Sequence, residues 1–318
     1  MRTLFYSPNE SRAAPVLSVV AARHGLELHA HVKLSHVIDS RPPHTDPTAW
    51  SYATKAEFDW LVIHSGTNRV EFAVELDDAT HLDAAGRERD AKKDALCEAA
   101  GLELLRLEFS GWSRHHGLPR VGVMDGSERE LNLLEYLVEI RSQCKAFREA
   151  QEAGTIPDDE IFMPYFVLSN QTFEEMTEDG RVRIDFPYDL AHPARLRAMR
   201  AFDSSKIQSG IIHGQSFSWR DGMAEGWAWL SVGPDRYMHA RTLVRSFRLD
   251  CGLSAGDLAE DLSCAEVGRM LGRFLDGAPE AVSGRTMASR LEGIRSRRED
   301  LRDPFLIDHM HWTVEGAW

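Results

Sequence analysis

The stretch from Glu57 to Phe109, EFDWLVIHSGTNRVEFAVELDDATHLDAAGRERDAKKDALCEAAGLELLRLEF, carries most of the structural and chemical information in the chain. Glu57–Ile63 is rich in Phe, Trp, Val and Ile and reads as a strand. His64–Arg69 contains Ser-Gly-Thr-Asn, a turn composition, and Val70–Leu76 resumes as the second strand of a hairpin. Residues 86–100 are strong helix formers closed by Gly101 at a C-cap position, and LELLRLEF returns as a buried strand. The order strand, turn, strand, charged helix, strand predicts an α/β architecture.

Side chains two apart share a face of a strand, so Ala73, Glu75 and Asp77 lie together, with Asp59 on one side of the preceding strand. If the register sets Asp59 beside Glu75, three carboxylates converge at one end of the sheet. Acidic side chains on apolar strands are costly to bury, and close like charges repel unless a cation lies between them. A hard divalent ion, Mg2+ or Mn2+, answers both costs. It takes carboxylate oxygens and keeps several waters, one of which can act as the nucleophile of phosphodiester hydrolysis. The plainer alternative is that Glu75, Asp77 and Asp78 end an edge strand in solvent. On the helix, Asp90, Lys93 and Cys97 fall on one face, so Lys93 can reach the acids and stabilise negative charge on a phosphate oxygen. The alternative for that helix is an ordinary charged face.

The runs AVELDDATH (73–81), RDAKKDAL (89–96) and AAGLELLRL (99–107) closely resemble a bacterial domain of unknown function placed among the PD-(D/E)XK, restriction-endonuclease-like nucleases, near the very-short-patch-repair endonuclease branch. FYSPNESRAAPVL and HAHVKLSHVI resemble that domain's opening helix and first strand, so the likeness covers about residues 1–110. It implies a restriction-endonuclease-like mixed sheet flanked by helices. Asp59 then stands at the motif Asp, Glu75 at the acidic residue of the triplet, and Glu10 at the Glu of the opening helix. The chain departs from the pattern at Asp77, where the triplet has Lys. Lys93 matches the helix lysine used by this branch, and Lys92 points about 100° away from it. His81 stands either as a proton shuttle or as a surface histidine. The resemblance thus implies Asp59, Glu75 and Asp77 as ligands of Mg2+ or Mn2+, Lys93 as the stabiliser of the pentacovalent charge, and Glu10 as the group orienting a second metal or a water. DNA is the implied partner. A catalytically decayed relative that binds DNA or acts as a scaffold is the rival expectation, favoured by the missing triplet lysine.

Outward from this stretch, 318 residues suggest at least two domains. Residues 1–152 are expected to form the nuclease-like domain and 153–318 a C-terminal α+β or helical region of no recognised family, with the boundary at Ala153–Asp159. No apolar run is long enough for a membrane span and the N-terminus lacks a signal-peptide core, so a cytoplasmic protein without membrane contact is expected. The four cysteines have no CxxC spacing and are expected to be reduced structural thiols. A formal net charge of −13 argues against a grip on nucleic acid over the whole surface, yet leaves room for a local basic face.

Ser7-Pro8-Asn9-Glu10 opens a helix ending near Gly25, with Glu10 in a first turn that favours a carboxylate in any case. Leu26–Ile38 reads as a strand and a short amphipathic element, and Ser40–Thr48 as a proline-rich loop beside the site. Arg114, His115, His116 and Arg120 make a locally basic turn region with a short strand at 120–124. Glu128–Gln151 has helical periodicity. IFMPYFVL, RVRIDFPY, GWAWLSV and RYMHARTLV are strand-like, and Trp219, Trp227 and Trp229 either stack on bases or fill a core. SAGDLAEDL, CAEVGRMLGRFLDG and SGRTMASRLEGIRSRREDLR suggest a three-helix, helix-turn-helix-like unit at 253–302. Six arginines from Arg285 to Arg302, Arg285, Arg290 and Arg295 among them, face only Glu292, Glu299 and Asp300, which points to phosphate contact. Cutting both strands at one place takes two sites, so a homodimer is expected.

Overall fold

Apolar alternation and turn chemistry produce two α/β units in the computed structural model, which describes residues 8–38, 42, 47–77, 84–108, 120–122, 130–160, 162 and 190–304. Unit 1 comprises 1–119, 132–145 and 247–251, and unit 2 comprises 120–131, 146–246 and 252–318, so the units interleave in sequence.

Unit 1 begins with helix α1 (Pro8–Arg23), which stops at Gly25, whose φ of +64° suits a residue without Cβ. Strand β1 (Leu26–Lys33) follows, then the short helices α2 (Leu34–Val37) and α3 (Pro47–Ala53). The hairpin forms as read: β2 (Glu57–His64) and β3 (Val70–Asp77) pair antiparallel, Trp60 opposite Val74 and Leu61 opposite Ala73. Helix α4 (Ala84–Ala99) ends before Gly101, at φ +66°, and crosses over to β4 (Leu104–Glu108), which pairs parallel with β3. The result is a four-stranded mixed sheet of order β1-β2-β3-β4.

Hydrophobic side chains cover both faces of this sheet. Leu17, Val20 and Ala21 of α1 surround one small void together with Leu28, Val62, Phe72 and Val74 of the sheet. On the other side Leu61, Ala73 and Leu104 cluster with Leu96 and Cys97 of α4 and Ala53 of α3. At about 25 cal/mol per Å² of apolar surface removed from water, this two-sided burial is the main force fixing the strands in register. The outer rim of β4 is covered at one point, where Leu104 and Arg248 exchange backbone hydrogen bonds of 2.8 and 2.9 Å.

The short strands β5 (Arg120–Gly122) and β6 (Glu130–Asn132) pair with each other, and α5 (Leu133–Glu152) runs on from β6. The turn after α5, where the sequence changes character at Ala153–Asp159, is clasped by Gln151, whose Nε2 donates to the carbonyls of Pro157 and Glu160, both at 2.9 Å.

In unit 2, α6 (His192–Asp203) precedes three antiparallel strands, β7 (His213–Ser218), β8 (Met223–Gly233) and β9 (Arg236–Arg245). The long helix α7 (Ala255–Leu275), strand β10 (Val282–Ser283) and helix α8 (Gly284–Arg295) complete it, in the sheet order β10-β9-β8-β7. Ala228, Leu230, Met238 and Ala240 pack with Cys264, Val267 and Leu271 of α7, while Trp227, Trp229, Tyr237 and Phe217 pack with Met287, Leu291 and Ile294 of α8. A Cβ at Gly226 would lie inside the van der Waals envelope of the Ala259 carbonyl group, so glycine is what lets α7 cross the sheet this closely.

Two expectations for 253–302 need correction. The first two of these segments, SAGDLAEDL and CAEVGRMLGRFLDG, form one continuous helix, because the Ser263 hydroxyl does not cap a new start: it donates to the Ala259 carbonyl at 2.9 Å inside the helix. Between α7 and α8 the chain forms β10, paired to β9, so these helices pack against a sheet and do not form a three-helix helix-turn-helix unit. Ser254 caps α7 in a full capping box with Asp257. Among the described residues no helix is long and apolar enough to cross a membrane.

Candidate functional site

In unit 1, the register of β3 against β4 places Glu75 opposite Arg106, and continuing the β2–β3 register by one step places Asp59 opposite Glu75. All three lie in step with Leu61, Ala73 and Leu104, hence on the face covered by α4. Lys93 of α4 meets them there, its Nζ 2.7 Å from Glu75 Oε2, with both side chains buried. The same ammonium donates to the Glu57 carbonyl at 2.9 Å and lies 5.6 Å from the centre of the Phe58 ring.

The electrostatics follow from this burial. Glu75 Oε1 is a buried oxygen with no hydrogen-bond partner among the described residues. Asp59 Oδ2 accepts from the Leu76 amide at 2.7 Å. Desolvation, reinforced by the Glu75 charge, nevertheless pushes the Asp59 carboxyl up to about 7, against the opposing pull of that amide and of Lys93. Burial works against the charge of Lys93, but the contact with Glu75 outweighs it and holds the ammonium above its usual range.

Glu10 is buried in the first turn of α1, and its Oε2 lies 3.3 Å from Nε2 of His31. Its charge adds to those raising Asp59. Asp77 ends β3 opposite Glu108, and its side chain lies outside the described residues, as do Asp78, His81, Arg114, His115 and His116. Lys92 points away from the site and pairs with Glu88 at 2.6 Å on the exposed side of α4. Asp90, expected beside Lys93, is on the buried face but is approached by Arg106 at 3.4 Å, and Arg106 also donates to Asp94 at 2.8 and 3.0 Å. Among the described residues no group of three His, Cys, Asp or Glu side chains is placed to hold a metal ion.

Three participants escaped the sequence reading. Tyr52 of α3 has its phenol pushed up by burial, with Lys93 acting against and Glu75 and Asp90 acting with that shift, so it borders the acid pair. Its signal was Pro47, a residue favoured at the first turn of a helix inside what reads as a loop. Arg106 was visible as a lone charge in the apolar run LLRL (104–107). His31 adopts φ 55° inside β1, which no sequence pattern reveals. A second buried acid, Glu71, has a structural explanation: hydrogen bonds from Arg69 and Arg141 outweigh its burial and pull it to about 2.

The arginines proposed for nucleic acid do not share one face. Helical geometry turns each five-residue step by about 140°, and Arg290, but neither Arg285 nor Arg295, lines the cavity beside Trp227 and His239. Arg295 faces Glu292 at 3.5 Å. Trp219, Trp227 and Trp229 are no more than 3% exposed, so they fill the core under α8 and are not a stacking platform for bases.

Fold and site together define unit 1 as a mixed α/β sheet unit carrying a carboxylate pair, Glu75 buried and Asp59 half-buried, beside a buried lysine. Residues 2–116 match the sequence model of a family described as "Protein of unknown function (DUF2726)", which spans α1 to β4. No curated protein and no solved structure matches the chain.

Proposed function

We propose that unit 1 is a metal-dependent nuclease of restriction-endonuclease-like fold, hydrolysing DNA phosphodiester bonds. The observation that carries the reading is the convergence of Asp59, Glu75 and Lys93 on one face, from two adjacent strands and the crossover helix, at the positions the sequence singled out. The sheet order and the crossover through α4 between the parallel strands β3 and β4 agree with it.

Mg2+ or Mn2+ fits these residues. Glu75 Oε1 has no hydrogen-bond partner among the described residues, and the Leu76 amide and Lys93 do not offset the desolvation that raises the Asp59 carboxyl, so a cation would relieve both. Mg2+ asks for only one or two carboxylates when waters and substrate phosphate supply the remaining ligands. Bound by Asp59 and Glu75, such an ion supplies Lewis acidity toward the phosphate oxygens. The Leu76 amide fixes Asp59, and Lys93, anchored on the Glu57 carbonyl, holds Glu75 in place while adding positive charge where a phosphate would gain negative charge. Glu10, 3.3 Å from His31, would orient a second metal or a water.

The test is cleavage of single-stranded and duplex DNA with Mn2+ by the parent and by Glu75→Gln. Loss of about a hundredfold or more in the variant is expected, and equal cutting by both refutes the assignment. One observation favours a decayed, DNA-binding or scaffolding fold: the direct Lys93 contact already compensates Glu75. Calorimetric titration with Mn2+ separates the readings, since a working site binds the ion in the parent and loses it in Asp59→Ala.

A further inference from the structure

Unit 2 contains a cavity of about 410 Å3 between the Trp-bearing face of the sheet and α8, lined by Glu225, Trp227, His239, Arg241, Arg290 and Arg297. Its acid is fully engaged. The Glu225 carboxylate accepts from Trp219 Nε1 at 3.1 Å, from Trp227 Nε1 at 2.7 Å and from both Nε and Nη2 of Arg241, the latter at 2.9 Å. Glu225 therefore cancels the charge of Arg241 and fixes its guanidinium in the wall.

Arg290 is not cancelled in this way. Its Nη1 lies 2.7 Å from Nδ1 of His239, and among the described residues it has no carboxylate partner. A guanidinium can only donate, so Nδ1 accepts, the imidazole is neutral, and its proton sits on Nε2. Burial, joined by the nearby Arg290 and Arg241, pushes this histidine down to about 4, in keeping with a neutral ring. The Nε2 donor is buried with no partner among the described residues, in a side chain that is only 8% exposed. Arg297 lies 4.0 Å from the Trp219 ring and 3.7 Å from the exposed carboxylate of Asp300, a contact that contributes little.

Three guanidiniums and one carboxylate thus line one concavity, an excess of two positive charges in a chain whose formal net charge is −13. A dianion balances that excess and a phosphodiester, with one charge, does not. A phosphate monoester carries close to two negative charges near neutral pH, and its oxygens suit the guanidinium fork. The volume exceeds what a bare phosphate needs and falls in the range of small-molecule sites.

We propose that this cavity of unit 2 binds a phosphate monoester, held by Arg290 and Arg297 with Arg241 locked in place behind them by Glu225. The group is carried either by a small molecule of nucleotide size or by the 5′ end of a nucleic-acid strand, and the probes below separate these sources. The site is independent of the acid pair in unit 1.

The experiment is calorimetric titration of the full chain with AMP, adenosine, inorganic phosphate, and one oligonucleotide with and without a 5′ phosphate, with tryptophan fluorescence as a second readout. AMP and phosphate are expected to bind saturably and adenosine not at all. Arg290→Gln should weaken binding by about tenfold or more, while Arg285→Gln, on the same helix but outside the cavity, leaves it unchanged. Binding of the 5′-phosphorylated oligonucleotide alone, lost in Arg290→Gln, supports the site with a strand end as its ligand. If Arg290→Gln lowers the thermal midpoint, Arg297→Gln serves in its place. The proposal is overturned if no monoester binds at millimolar concentration, or if Arg285→Gln weakens AMP and phosphate binding as much as Arg290→Gln.

Discussion

Replacing Asp59 by asparagine isolates the electrostatic cost built into the acid pair. The carboxyl is raised to about 7 in the fold, chiefly by desolvation and by Glu75, from an ordinary value near 3.8. For a raised carboxyl the stability contribution is complete below the unfolded value and is lost as pH climbs through the folded one. The window is therefore about pH 4 to 7, in which the folded chain holds a proton that the unfolded chain has released. A shift of about three units at about 1.4 kcal/mol per unit amounts to about 4 kcal/mol lost by pH 8 in the absence of divalent metal. Asparagine keeps the shape and retains an oxygen to accept from the Leu76 amide, 2.7 Å from Oδ2 in the parent. Urea denaturation of parent and Asp59→Asn from pH 4 to 8 in chelator should show the variant gaining on the parent as pH rises, by up to about 4 kcal/mol. His239, lowered to about 4, acts in the opposite direction, its contribution being lost as pH falls from about 6.5 through 4, but it is common to both proteins and cancels in the comparison. A difference between the two proteins that does not change with pH refutes the reasoning, because it would mean that Asp59 is ionised in the fold at no cost.

Other outcomes follow from the same contacts. Lys93→Met leaves Glu75 buried without its 2.7 Å partner and should cost about 3–5 kcal/mol, much of it recovered in the Glu75→Gln/Lys93→Met double variant; a denaturant double-mutant cycle measures this. Gly226→Ala forces a methyl against the Ala259 carbonyl and should lower the stability of unit 2 by about 1–3 kcal/mol or displace α7, read from the thermal midpoint and from tryptophan fluorescence. All four cysteines are buried thiols outside any disulfide, and burial pushes the Cys97 thiol up to about 12, so a thiol-specific reagent should leave the folded chain unlabelled at pH 8 and modify four thiols in denaturant.

Local chemistry in the sequence was enough for several elements. The hairpin of β2 and β3, the helix before Gly101 and the returning strand were readable because each depends on alternation, turn residues and a glycine stop, properties of neighbouring residues. Asp59, Glu75 and Lys93 could be singled out for a similar reason: charges inside apolar periodic segments are conspicuous. The continuity of α7 was not readable, since Ser263 looks like a cap until its hydroxyl is seen to bond back to Ala259. Neither was the direction of the last helix's arginines, because which side of α8 is buried depends on the strands it covers.

The chain by itself determined the β2–β3 hairpin, helix α4 and strand β4, and which acids would be costly to bury, since propensity and periodicity act over a few residues. Only the tertiary structure decided that Tyr52 and Arg106 border Glu75, that His31 meets Glu10, that the three tryptophans belong to a core, and that Arg241, Arg290 and Arg297 line one cavity. Those facts depend on strand register and helix packing, which bring together residues as far apart as 225 and 297, and they are set by the burial of the whole apolar surface.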